Sequence, residues 1–338
     1  MLEKKTFALA GPDRSLPNLA IVVLLAGGVA FGATDAAAGG QGKTDKVCAQ
    51  TAKLANKACG KDVQDNYLIA RAKCQNLINA DEKDTCLADA KSVREDEKSE
   101  CGDVRDARLE LCDALTIGGG PYDPVIDPGN FVPADQIVGN TYFPLIKGRT
   151  MIYNNTAGET ITVTVTGDTT TIMGVPVVEV TDVVEVGGKT TEDTVDWFAQ
   201  DTDGNVWYFG ESTMAADVDD KLVSVDGSWE AGVDGAKPGI VMPVDVPTVG
   251  DVYRQEWLLG DAEDAAEILS TTASESAPAS GPAVASCSGD CVKTHDYSPI
   301  EPDASESKFY APGVGVIVVL DDNDPAFREE LVQIIDTP

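Results

Sequence analysis

The chain has almost no histidine and little positive charge. Its 338 residues include one His, His295, and 25 Lys and Arg against 57 Asp and Glu, for a formal net charge of −32. A single imidazole excludes a multi-histidine metal site within the chain, and any His-based triad or dyad has to use His295. Phosphate recognition relies on clustered Lys and Arg, so this balance argues against nucleic acid as a partner. It argues against an anionic membrane surface for the same reason. No phosphate loop or dinucleotide fingerprint is present, and Gly227-Ser228 does not form a Gly-x-Ser-x-Gly elbow because Gly232 comes too late. Ser305-Glu306-Ser307-Lys308 contains Ser-x-x-Lys, but inside an expected strand and without companion motifs. Past the N-terminus no apolar run approaches membrane length. What is present is 43% hydrophobic residues, enough for the core of one or two domains.

Residues 1–38 read as an export signal. Lys4, Lys5 and Arg14 precede an uncharged stretch from Ser15 to Thr34 with an apolar centre from Leu19 to Phe31, and Ala36-Ala37-Ala38 supplies the small residues a signal peptidase needs. Cleavage is expected after Ala38, which places the chain outside the cytoplasm, periplasmic or secreted, in a bacterium. The alternative is an uncleaved N-terminal membrane anchor, weakened by Asn18, Gly27 and Gly28. The residues before Cys48, Asp45-Lys46-Val47, do not form a lipobox.

Six cysteines lie between residues 39 and 115: Cys48, Cys59, Cys74, Cys86, Cys101 and Cys112. Their spacings, 11, 15, 12, 15 and 11, form a palindrome. Residues paired across an antiparallel helical hairpin have numbers of constant sum, and Cys48 with Cys112, Cys59 with Cys101 and Cys74 with Cys86 all sum to 160. The spacing therefore predicts three disulfide rungs along a hairpin. The segment has no Pro, is rich in helix formers, and turns near Asn79-Ala80-Asp81, where Asp81 or Asp84 can cap the second helix. The same sum matches Ala70 with Ala90 and Tyr67 with Val93. Small facing residues let the backbones approach to the 4.4–6.8 Å that a disulfide requires. The arrangement resembles the disulfide-linked helical hairpins with twin Cys-x9-Cys motifs in geometry only, since the spacing here is Cys-x10-Cys with an added inner pair. A metal or redox role is disfavoured by the absence of any Cys-x2-Cys pair. Cys287 and Cys291 are expected to close a short local clip; a redox-active dithiol is the sharper alternative.

Residues 116–135, with Gly118-Gly119-Gly120 and Pro at 121, 124, 128 and 133, read as a Gly/Pro linker, extended and partly docked. Residues 136–320 read as an acidic antiparallel β domain. Thr160–Thr166 alternates strictly, Val175–Val186 is Val-rich, Gly187-Gly188 is a turn, and Asp201–Asn205 is a hairpin turn. Further strands are expected at 221–230, 251–257, 263–269, 291–298, 305–311 and 314–320. Gly232–Pro243 is expected to be a loop over one mouth of the sheet, and 270–286, rich in Ser, Ala, Pro and Thr, a disordered loop. Asp324-Pro325 with Phe327, Leu331, Ile334 and Ile335 predicts a short C-terminal helix within 321–338. The fold class is thus α+β, mainly β: a disulfide-laddered helical hairpin, then an antiparallel meander forming a curved sheet, half-barrel or barrel.

Asp196-Trp197-Phe198-Ala199-Gln200-Asp201, Gly204-Asn205-Val206-Trp207-Tyr208-Phe209-Gly210-Glu211 and Gly227-Ser228-Trp229-Glu230-Ala231-Gly232-Val233-Asp234-Gly235-Ala236-Lys237-Pro238-Gly239-Ile240-Val241-Met242-Pro243 carry a resemblance. With Tyr142–Leu145 and Tyr310–Gly315, they resemble an uncharacterised family of exported bacterial β-rich proteins, over roughly residues 122–320. The resemblance implies a β architecture and an extracytoplasmic compartment. It implies no activity and no catalytic residues, and it does not extend to the hairpin.

Residues 116–338 carry 9 Lys and Arg against 39 Asp and Glu, while residues 39–115 carry 13 against 15, so the acidity belongs to the β domain. A solvated acidic surface is one reading, and calcium binding is another. Asp201, Asp203 and Asn205 alternate like ligands, and Asp217, Asp219 and Asp220 form a second candidate, but neither is a full motif; otherwise no cofactor is implied. Asp321, Asp322 and Asp324 form a third acidic group, which helix capping also explains. The aromatic residues Trp197, Trp207, Tyr208, Phe209, Trp229 and Trp257 are expected in the core, or else facing an apolar or carbohydrate ligand in the concavity of the sheet. The leading functional expectation is an exported non-catalytic binding or envelope module, with a basic protein surface or an apolar ligand as partner. A carrier of an apolar or lipid-like ligand is the alternative, and a secreted hydrolase ranks last. Non-reducing peptide mapping should recover 48–112, 59–101 and 74–86; any other pairing refutes the constant-sum reading.

Overall fold

The computed structural model describes residues 46–118, 121–216, 222–225, 227–244 and 247–337. The expected export signal lies outside them. Helices α1 (Lys46–Gln75) and α2 (Ala80–Ala114) form the hairpin. At about 1.5 Å per residue, α1 is about 45 Å long. The three rungs join Cys48–Cys112, Cys59–Cys101 and Cys74–Cys86, with Cα separations of 5.8, 5.9 and 5.6 Å. The cap of α2 is Asn79 rather than Asp81 or Asp84. Its Oδ1 accepts from the Asp81 and Glu82 amides, and those two acids occupy the first turn, where the helix dipole favours them. Ala90 is buried in the seam, and Tyr67 lies under the guanidinium groups of Arg94 and Arg71.

The rest is one antiparallel sheet. Its strands are β1 (Arg149–Asn155), β2 (Glu159–Ile172), β3 (Val175–Val186), β4 (Lys189–Gln200), β5 (Val206–Ala216), β6 (Leu222–Ser224), β7 (Trp229–Glu230), β8 (Lys237–Met242), β9 (Val252–Arg254), β10 (Glu256–Trp257), β11 (Ala265–Ala277), β12 (Ala285–Ser298), β13 (Glu301–Ala311), β14 (Gly315–Asp321) and β15 (Arg328–Asp336). The spatial order is β10-β8-β5-β4-β3-β2-β1-β15-β14-β13-β12-β11-β9, with β6 and β7 also on β5. Two meanders, β1 to β5 and β11 to β15, thus join through the pairing of the first strand with the last. So many twisted strands curl. The two ends of the sheet meet at one segment, Val252–Trp257, which pairs with β11 through β9 and with β8 through β10. Gly239 on β8 lies so close to this segment that a Cβ there would fall 2.2 Å from the Gln255 carbonyl carbon.

Three expectations are corrected. The C-terminal segment is the strand β15, registered against β1 and β14, and not a helix. Residues 270–286 are not a disordered loop; most of them extend β11 and begin β12, with Ala277 and Ala285 buried. The stretch Gly232–Pro243 contains β8 and is not all loop. Cys287–Cys291 closes the predicted local clip, where β12 bulges opposite β11. The linker docks: Phe131 is buried against Trp207 and Phe209, and the Thr116 and Ile117 amides donate to the Val252 carbonyl.

The open end of the hairpin sits on the meeting point of the sheet. Leu111 packs with Val252 and Ala265, with Leu115 and Tyr297 alongside. Arg108, itself buried, donates from Nε to Glu263 Oε2 at 2.9 Å, and its Nη2 donates to Oε1. Removing one partner of a buried pair leaves an uncompensated charge. Arg108→Met should therefore destabilise the protein by about 3–5 kcal/mol in urea unfolding, and Arg108→Met with Glu263→Met by clearly less.

Candidate functional site: an apolar pocket on a ring of acids

Alternation decides what faces inward. Along β4, Glu192, Thr194, Asp196 and Phe198 are buried on one face, while Val195 and Trp197 on the other are half-buried. On β5 a bulge intervenes: Phe198 pairs with Tyr208 and Asp196 with Glu211. Gly210, at φ +129°, lies in the bulge, where any Cβ would come within 2.2 Å of the Trp229 carbonyl oxygen. The extra residue turns Tyr208 and Glu211 to the same side.

The acids of the inward face follow one another around the curl. Asp182 on β3 feels Asp196 and Glu192, and Asp196 feels Glu192. Glu211 feels Asp196 and Glu256, and Glu256 feels Asp264. Asp264 neighbours Asp296, Glu306 neighbours Asp296, and Glu329 on β15 neighbours Glu306 and Asp182, which completes the ring. Among the described residues one cation stands inside it. Lys308 Nζ lies 3.1 Å from Asp296 Oδ2 and 3.4 Å from Glu306 Oε2. Burial alone would lower the Lys308 pKa, but these two carboxylates hold it above the ordinary lysine value.

Burial pushes the carboxyls the other way. It raises Asp196 to about 7, Asp264 to about 6 and Glu306 to about 8, and lifts Asp182, Glu211, Glu256 and Glu329 well above the ordinary range. Geometry agrees at one point. The Tyr208 hydroxyl lies 2.6 Å from Asp196 Oδ1 and 3.1 Å from Glu211 Oε2. A phenol has one proton to donate, so bonding both oxygens requires one of the two carboxyls to carry a proton.

A cavity of about 60 Å³ opens against this ring. Its walls include Phe143, Leu145, Val165, Val180, Phe198 and Val316, and Asp182 and Asp196 are among the polar groups that reach it. Pro144, Met151, Val163 and Val314, also in the lining, are only half-buried, so the cavity reaches the surface. Asp182 Oδ1 is buried without a hydrogen-bond partner among the described residues.

The aromatic residues named from sequence do not form one surface. Tyr208 stacks on Phe198 at 5.0 Å and meets Trp229 edge-on at 5.4 Å, beside the ring. Trp207 and Phe209 lie on the other face against Phe131, and Trp207 Nε1 donates to Asp201. Trp197 shares that outer parity, and Trp257 packs near Tyr122 at the end of the sheet. Asp201, Asp203 and Asn205 build the hairpin turn. Asp201 accepts from the Asp203 and Asn205 amides, the Asn205 side chain and Trp207, and Asn205 Oδ1 accepts from Val244. Asp217, Asp219 and Asp220 lie outside the described residues, among which no group of three or more His, Cys, Asp or Glu is placed to hold a metal. His295 stacks on Tyr297 at 4.9 Å.

Family models, curated proteins and solved structures were each compared with the chain, and none matches. The eight cysteines form four disulfides, which indicates an oxidising, extracytoplasmic compartment. No helix among the described residues is long and apolar enough to cross a membrane.

Each raised carboxyl stabilises the fold while it stays protonated. That contribution is complete below the unfolded value near 4 and is lost as pH rises through the folded values of about 6 to 8. The melting temperature should fall between pH 5 and pH 8.5, and Asp196→Asn should flatten the decline. A melting temperature that climbs across this window would contradict the ring's assignment.

Proposed function

We propose that the protein is an exported, non-catalytic binding module that holds a small, largely apolar ligand in the pocket above the ring, with the helical hairpin as a projecting arm. The pocket carries the reading: apolar walls with a few convergent polar groups are the usual form of a small-molecule site. Export through residues 1–38, with cleavage after Ala38, agrees with the disulfides and with the resemblance to exported bacterial β-rich proteins. A non-catalytic role fits the absence of any recognised nucleophile motif. The volume favours a small occupant over a lipid, because even benzene occupies a cavity of roughly 150 Å³. The arm presents little acidity of its own and exposes Ile78 at its turn, with Leu54, Leu68 and Ile69 along α1.

Xenon is small enough to probe the pocket without polar contacts. Under xenon pressure the methyl resonances of Val165, Val180 and Val316 should shift saturably, while those of Val177, on the opposite face of β3, should not. Val316→Phe should remove the response. Shifts that are absent, or spread evenly over both faces, would overturn the reading.

A further inference from the structure

The pocket's polar floor has one sign of charge. Asp182 and Asp196 line it, and among the described residues no Lys, Arg or His does. Asp182 is 5% exposed, its Oδ1 has no donor, and the charges it feels are those of Asp196 and Glu192. Asp196 is 1% exposed and accepts from Tyr208, which also lies within reach of Glu211. The ring's Lys308 is engaged by Asp296 and Glu306 and lines no part of the cavity. A buried acceptor without a donor is costly, and a buried carboxylate without a cation more so. A donor that carries positive charge and is compatible with apolar walls would answer both costs.

We infer that the ligand of this pocket is a primary amine, with its ammonium group at Asp182 and Asp196 and its apolar body among Phe143, Leu145, Val165 and Val316. This rests on the binding-module reading above and specifies its ligand class. An ammonium has three donors, enough for one bond to Asp182 and a second to Asp196. A metal ion fits less well. Divalent cations need several converging oxygens, and these walls are apolar, with no three-ligand group among the described residues. The cavity of about 60 Å³ encloses only a few carbons, so a longer body must extend beyond it. Where a carboxyl of the floor holds a proton, the incoming ammonium displaces it, and that proton leaves to the buffer.

Calorimetric titration of the purified protein with n-butylamine and with its neutral isostere n-butanol tests this, at pH 6, 0.15 M salt and in two buffers of different ionisation enthalpy. Butylamine should bind at least tenfold more tightly than butanol, with a buffer-dependent heat that reports proton release. Asp182→Asn should lose the preference while still binding butanol, and Val316→Phe should lose saturable binding of both. Equal affinity for the two probes in the unmodified protein overturns the inference, and that comparison does not depend on any variant folding. So does a preference that survives Asp182→Asn or Val316→Phe, which would place the amine on the acidic surface. If xenon shifts the pocket valines but butylamine shows no preference, the amine inference alone fails. If xenon leaves them unmoved, the binding reading fails with it.

Discussion

Six residues, Val252–Trp257, hold the molecule together. Their backbone pairs with β11 on one side and β8 on the other, so the two ends of a long sheet meet through a single piece of chain. The same segment accepts the linker amides of Thr116 and Ile117 at Val252, and Val252 packs beneath Leu111 of the hairpin. Glu256 belongs to the ring of acids. Closure of the curl, docking of the arm and the electrostatics of the interior therefore share one determinant. Gly239 is its local requirement, because no side chain fits between β8 and Gln255.

Curling the sheet turns an ordinary alternation of residues into an unusual interior. In an open sheet the acids of β3, β4 and β13 would face water. Here they face each other, and among the described residues Lys308 is the one cation between them. Protons are the cheapest remedy for such crowding, which is why burial dominates every raised carboxyl in the ring. Part of the −32 is thus formal only: several of the carboxyls counted in it sit where the charged form is strongly disfavoured.

The hairpin was legible in the sequence because disulfide partners obey an arithmetic that needs no knowledge of packing. The bounds of β3 were legible for a similar reason, since its Val-rich run ends at Gly187-Gly188. The last strand was not. Phe327, Leu331, Ile334 and Ile335 fit a helical period, but tertiary pairing with β1 and β14 overrides it and places Glu329 and Leu331 inward. Residues 270–286 looked too polar and too small-sided for a strand pair, yet Ala277 and Ala285 are buried in the core. The acid ring could not be read either. Between Thr190 and Thr194 both parities of β4 are polar, and only the bulge at Gly210 settles which side of β5 meets Asp196.

The ladder has a mechanical consequence. Rungs roughly 16–22 Å apart prevent α1 and α2 from sliding past one another, so the pair bends as one beam rather than as two rods. A load on Ile78 at the far end is then delivered, about 45 Å away, as torque at the foot of the beam. That foot is Arg108 and Leu111, seated on Glu263 and Val252. The seam of the sheet is therefore where a pull on the arm is felt first.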